Sequence, residues 1–211
     1  STFAKVELGS SMAVATGYCK GTEGIMRAFD RGYSEVTFSR IAVLLGATEA
    51  VIHKEYHLSS GDPKVIGDDK VTPIGATNFD VADQLADIGM EAIHPKASKP
   101  LERSNIAIRV KNVFDPEHEG TLITSSYQSR EPKVEIISGS QKLMCVEVHD
   151  TAMVGEVGFD LRIMQLLTDH HVSYIFKSTN ANTITVAVAD KDWGEEIERK
   201  FPNIHGRLMS L

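Results

Sequence analysis

The chain has 211 residues and a net charge of −7, from 22 Lys and Arg against 29 Asp and Glu. Apolar residues supply 42% and charged residues 24%, near the globular average of roughly 45–50% and 25%, which excludes a disordered tail, a collagen-like fibre and a coiled-coil rod. No apolar run approaches the ~20 residues that span a bilayer, no secretory leader is apparent, and no Lys/Arg cluster offers the basic face that nucleic acid requires. The sequence therefore predicts a cytoplasmic protein that engages neither membrane nor nucleic acid. Cys19 and Cys145 are far apart and lack metal-ligand spacing, so they read as buried reduced thiols.

Up to Thr124 the pattern is α/β. Ser11 to Gly17 is a short apolar strand candidate, followed by a turn over Gly21 to Gly24. Phe38, Ile41, Ala42 and Leu45 fall at i, i+3, i+4, i+7, a helical stripe stopped by Gly46. Ala50 to Ile52 reads as a buried strand, and Gly61-Asp62-Pro63 as a turn. Asn78 can cap a second helix with the stripe Phe79, Ala82, Leu85, Ala86, closed by Gly89. Residues 93–97 read as the exit of a strand, Ile106 to Val110 as another strand, and Asp115 to Gly120 as a loop.

Residues 125–132 are polar and read as a linker between a domain over 1–124 and a region over 133–211. In that region Val134 to Ile137 and Leu143 to Val148 read as strands. A helix carries Val157, Leu161, Met164 and Leu167. Val172 to Phe176 and Thr183 to Val188 then form a hairpin around Asn180-Ala181-Asn182. Asp192 caps a last helix, and Leu208 begins a final strand. From Leu143 onward this is the βαββαβ, ferredoxin-like order.

No stretch is a self-sufficient catalytic motif. His53 and His57 have i, i+4 spacing, but the segment follows a strand, so no metal site is predicted. Three places carry more. Asp30 to Glu35 opens onto a helix N-terminus, which favours anions. There Arg31 could fork to a carboxylate and Ser34 could donate, or Ser34 could merely cap the helix. Lys96, after His94-Pro95, could neutralise a phosphate or be a solvated loop residue. The turn from His149 to Gly155 faces Asn180 and Asn182, where amides could read an amino acid or simply serve turn chemistry.

Taken in order, these segments resemble aspartokinase. The series runs from Gly17 to Gly24, through the Arg31/Ser34 loop and Gly61-Asp62-Pro63-Lys64. It continues with Gly89 to Pro95, then Asn105 to Asn112, then Pro116 to Leu122. It looks like the C-terminal, nucleotide-side half of the amino-acid-kinase fold, followed by an α+β ferredoxin-like ACT regulatory region of about one module, and is most similar to the ectoine-associated type. The resemblance implies ATP-dependent phosphorylation of the aspartate β-carboxylate with Mg²⁺, mostly by positioning and charge neutralisation. In the family pattern Gly-Arg-Gly-Gly-Ser-Asp, the Arg and Ser that hold the α-carboxylate fall on Arg31 and Ser34.

The sequence also departs from the pattern. Asp30, Tyr33 and Glu35 replace two Gly and the Asp of that loop. The nucleotide segment near Trp-Thr-Asp-Val-Asp-Gly-Val-Tyr reads Ile-His-Lys-Glu-Tyr-His-Leu-Ser over 52–59, and a family Lys falls on Glu91. His53, Lys54 and Lys96 are therefore the replacement candidates for nucleotide binding. The family's N-terminal phosphate loop is not found, so the chain is read as a fragment, inactive alone. Asp150, Met153, Gly155, Asn180 and Asn182 are the candidate contacts for an effector, with Lys or Thr as possibilities. A homodimer through ACT is the default, and the Val134–Ile137 strand is expected to present an unpaired edge. The alternative is a non-catalytic regulatory or assembly subunit that binds an amino acid.

Overall fold

A computed structural model of the chain describes residues 12–15, 17, 32–90, 92–140, 142–189 and 209–210. They divide into two compact units, one reaching Ser138 and the other starting at Gly139, with residues 87–89 grouped with the second.

The first unit opens on helix α1 (Tyr33–Leu45), whose N-cap is Gly32 with φ 83°. The left-handed Gly46 closes it: the Gly46 N–H donates to Val43 O and the Ala47 N–H to Ala42 O, the bonds that end a helix at glycine. Of the predicted stripe, Ala42 is buried while Leu45 is exposed, and Ser39 fills the remaining buried position.

Strand β1 (Glu49–Lys54) runs parallel to β3 (Ala107–Asn112), with Val51 opposite Arg109 and Lys54 opposite Asn112. β3 pairs antiparallel with β4 (Thr121–Thr124), which runs parallel to β2 (Ala76–Asn78), giving the order β1-β3-β4-β2. Ile108, Val110 and Ile123 are buried at the centre of this sheet. A short turn of helix, α2 (Pro63–Ile66), occupies the predicted Asp-Pro turn, with the Asp62 carboxylate accepting from the Lys64 N–H.

Helix α3 (Phe79–Asp87) follows its predicted cap: Asn78 Oδ1 accepts the Val81 N–H at 2.9 Å. Its stripe Phe79, Ala82 and Leu85 is buried.

Residues 93–97 differ from the expectation of a strand exit. They lead into helix α4 (Pro95–Arg103), with His94 as N-cap. Two prolines in nine residues hid it. Pro95 stands at N1, where no N–H is needed, and the helix accommodates Pro100 because Ala97, Ser98 and Leu101 are buried. Ser98 Oγ donates to Asp83 Oδ1 at 2.9 Å, tying α4 to α3.

The second correction concerns Val134 to Ile137, which form no strand. Val134 and Ile137 are exposed, so an alternating apolar pattern there has no face to bury. Residues 125–138 instead pack with the first unit. The Ile137 N–H donates to Ser60 O, Asn78 Nδ2 to Tyr127 O, and Tyr127 Oη to Glu135 Oε1 at 2.8 Å. That hydrogen bond to a carboxylate pushes the Tyr127 phenol pKa up, with burial acting the same way.

In the second unit, β5 (Leu143–His149), β6 (Tyr174–Thr179), β7 (Thr183–Ala189) and β8 (Met209–Ser210) form an antiparallel sheet in the order β6-β7-β5-β8, and helix α5 (Phe159–Asp169) connects β5 to β6. This is the ferredoxin-like strand order the sequence predicts. Val146, Leu167, Val172, Ile184, Val186 and Val188 make its core. Val157 lies before α5 and is 99% exposed. Cys145 is half-buried and free. Of the strand candidate over 11–17, residues 12–15 and 17 are described and form no strand, with Met12 and Val14 exposed. The predicted helix after Asp192 and Cys19 lie outside the described residues.

Candidate functional site

Parallel strands collect ligand-binding groups at their C-terminal ends. In the first unit that end is Lys54 on β1 and Asn112 on β3, with the start of α1 and the start of α4 beside it. Glu35 connects them. In the first turn of α1, where the helix dipole favours a carboxylate, Glu35 Oε1 accepts from Lys54 Nζ at 2.9 Å and Oε2 from the His94 N–H at 2.7 Å. His94 Nδ1 in turn accepts the Lys96 N–H at 3.1 Å.

Gly32 is needed for this approach. It has a positive φ, and a Cβ there would meet the His94 ring at 2.7 Å. Ser34 stands one residue before Glu35 and does not cap α1, since no side chain caps that helix. A Cβ on Gly17 would overlap the Ser34 side chain, and Thr37 Oγ1 donates to Gly17 O.

Lys54 and the His94–Lys96 turn, predicted from two separate segments, are thus tied together through Glu35, the residue that follows Ser34. His53 is not: side chains alternate along a strand, and His53 is exposed on the opposite face from Lys54. The i, i+4 spacing of His53 and His57 is not helical, because His53 lies in β1. His57 Nε2 lies instead 3.2 Å from Asp115 Oδ2, and its ring stands 4.3 Å from that of His118, tilted by 55°. Arg31 and Glu91 lie outside the described residues. In the sequence Glu35 stands out only as a departure from the family loop. Its signal was a carboxylate in the helix-opening loop with cationic candidates nearby in the fold.

In the second unit, the end of β5 and the β6–β7 turn come together: the Asp150 N–H donates to Asn182 O at 3.0 Å. Asp150 Oδ1 accepts the Ala152 N–H, and Asn180 Oδ1 the Asn182 N–H. Gly155 adopts φ 78°. Met153 packs against the core of the unit. Asp150, Asn180 and Asn182 therefore meet at one end of the sheet, each partly engaged in turn chemistry, while Met153 is oriented to the interior.

The first unit thus brings a helix start, Lys54 and the His94–Lys96 turn together at the C-terminal end of a parallel strand pair. Residues 6–112 match the amino acid kinase family, and the chain belongs to it. It is 51% identical over 185 residues to aspartate kinase Ask_Ect of Stutzerimonas stutzeri, covering 88% of this chain and 39% of that protein. It is 26% identical over 191 residues to the chloroplastic aspartokinase 1 of Arabidopsis thaliana, covering 89% and 33%. Among solved structures, Clostridium acetobutylicum aspartate kinase superposes with a TM-score of 0.72 at 22% identity over 86% of this chain and 43% of that one. E. coli aspartokinase III with aspartate and ADP superposes with a TM-score of 0.69 at 21% identity, over 85% and 41%. These two show the fold. The chain spans less than two-fifths of the length of either curated relative named here.

Proposed function

We propose that the chain is the nucleotide-side part and first regulatory part of an aspartate kinase, which transfers the γ-phosphoryl group of ATP to the aspartate β-carboxylate in the cytoplasm. The observation that carries this reading is the convergence of Lys54 and the His94–Lys96 turn on Glu35 at the C-terminal end of β1. The 51% identity to an aspartate kinase supports it, and that relative's designation accords with the ectoine-associated type. The match over 6–112 lies in the kinase fold, which weighs against a purely regulatory subunit.

In this reading Arg31 and Ser34 hold the aspartate α-carboxylate. Lys54 and Lys96 contribute positive charge toward the nucleotide phosphates, with His53 the remaining nucleotide candidate. The carboxylate acceptor is already a nucleophile, so the protein's work is to bring it in line with the γ-phosphorus and to offset charge as the bond to ADP breaks. Mg²⁺ would accompany the nucleotide phosphates, as this ion commonly does, and no step is assigned to it. The phosphate loop of the family is placed on a preceding segment, so residues 1–211 alone are inactive.

The ferredoxin-like unit that starts at Gly139 is read as an ACT module, with Asp150, Met153, Gly155, Asn180 and Asn182 at its effector end, lysine or threonine as the effector, and a homodimer as the assembly. Calorimetric titration of ADP into the full-length protein tests the nucleotide assignment. Saturable one-site binding is expected, and no heat above dilution refutes it. In the same protein Arg31→Ala should raise KM for aspartate roughly tenfold or more, since a charged hydrogen bond contributes about 1.5–3 kcal/mol. An unaltered KM removes Arg31 from the site.

A further inference from the structure

The loop between β3 and β4 is braced by its own contacts. The Phe114 N–H donates to Asn112 Oδ1, Lys111 Nζ to Pro116 O at 2.8 Å, and Arg109 Nη1 to Glu119 O at 3.2 Å. Gly120, with φ 77°, sits so close to β3 that a Cβ would overlap Val110 O. This loop also holds the segment that leaves β1. The Val113 N–H donates to Lys54 O at 2.9 Å, and the His57 Nε2–H donates to Asp115 Oδ2 at 3.2 Å. The His118 ring stands 4.3 Å from that of His57, and its Nδ1 accepts the Gly120 N–H at 2.9 Å, which fixes its orientation. We infer that His57 is a positioning residue for the nucleotide segment: held by Asp115 and His118, it fixes residues 54–57 against the braced loop and so sets the backbone at the mouth of β1 for the nucleotide. The inference rests on the nucleotide reading above.

A solvated ion pair by itself contributes little, and the plainer reading is a surface contact. Three observations favour a clasp. The His57 side chain is only 13% exposed, although Glu55 and Tyr56 just before it are exposed. Its ring is held from two sides, by a carboxylate and by a second ring that is itself held. Lys54 O and Leu58 O each accept a backbone N–H, from Val113 and Ile74, and the His57 side chain ties down the stretch between them. A segment ordered in advance spares ligand binding the entropy cost of ordering it. The family pattern has Gly where His57 stands, and glycine has no side chain with which to make either contact. The clasp therefore belongs to the altered nucleotide segment of this chain.

The test is calorimetric titration of ADP into the full-length protein and its Asp115→Ala, Asp115→Asn, His57→Ala and double-Ala variants, each well below its melting temperature. KM for ATP and for aspartate is measured alongside. The Asp115 side chain is half exposed, so removing its carboxylate empties no core position. Asp115→Ala and His57→Ala are each expected to weaken ADP binding about five- to tenfold. The double variant should match His57→Ala within about twofold, because the two residues act as one unit. Asp115→Asn keeps an acceptor for the His57 Nε2–H and should bind ADP within about twofold of wild type. In the Ala variants KM for ATP should rise while KM for aspartate stays within about twofold, a split that general loosening of the fold does not produce. Unchanged ADP affinity in either Ala variant, an Asn variant as weak as the Ala one, losses that multiply in the double variant, or equal rises in both KM values overturns the inference alone. A wild-type protein that does not bind ADP overturns the nucleotide reading and this inference with it.

Discussion

Replacing Glu49 by Gln tests whether the β1–β3 pairing is held by charge as well as by backbone bonds. Arg109 Nε donates to Glu49 Oε1 at 2.8 Å and Nη2 to Oε2 at 2.8 Å, a two-bond fork across the parallel strands. A third contact runs from Nη1 to Glu119 O at 3.2 Å. Exposed ion pairs contribute about 0.2–1 kcal/mol. This pair is only 26% and 32% exposed and its bonds are bidentate, so the upper end of that range, about 1 kcal/mol after solvent screening, applies. For a protein of this size that shifts Tm by about 2–4 °C.

The pH dependence follows from the same geometry. The hydrogen bond from Arg109, and secondarily its charge, holds the Glu49 carboxyl below its ordinary value of 4.5, with burial opposing. A depressed carboxylate contributes stability that is fully present above the unfolded pKa and lost as pH falls through the lower folded pKa. Thermal unfolding of wild type and Glu49→Gln, followed by circular dichroism, should show the full gap at pH 7 and a closing gap once the pH falls below about 4. An equal gap at both pH values, or no gap at pH 7, would refute the reasoning.

Leu101→Ala on α4, where Leu101 is 0% exposed, should cost about 2–5 kcal/mol in denaturant unfolding; a loss under about 1 kcal/mol would mean that α4 is not packed as described. Gly120→Ala should destabilise more than its size suggests, because Gly120 has φ 77° and an added Cβ would overlap Val110 O; a wild-type Tm in that variant contradicts this close approach. Asn180→Ala in the full-length protein should weaken lysine or threonine binding by about fivefold or more in calorimetry, and unchanged affinity removes Asn180 from the effector end.

The sequence made the second unit's strand order legible because its strands are apolar runs separated by strong turns, and Asn180 to Asn182 fixed the hairpin register. In the first unit α3 was equally clear: Asn78 caps it and its apolar residues keep one period. Other elements escaped for physical reasons. α4 carries Pro95 and Pro100, and its helical state depends on burying Ala97 and Leu101 rather than on propensity. β4 is only four residues long, and its first residue, Thr121, is buried because its hydroxyl donates to Ile74 O. Residues 134–137 look like a strand but find no partner strand. At the candidate site, the helix-opening loop and its Ser34 were visible as an anion-favouring start. The link between Lys54 and His94 was not, because it runs through Glu35 across 19 and 59 residues of sequence.

The most direct measurement of the proposed activity is an aspartyl-hydroxamate assay with aspartate and ATP on two samples, residues 1–211 and the full-length protein. Hydroxamate formed only by the full-length protein is the predicted result. No product from either sample would contradict an aspartate kinase, and product from residues 1–211 alone would contradict the placement of the phosphate loop on a preceding segment.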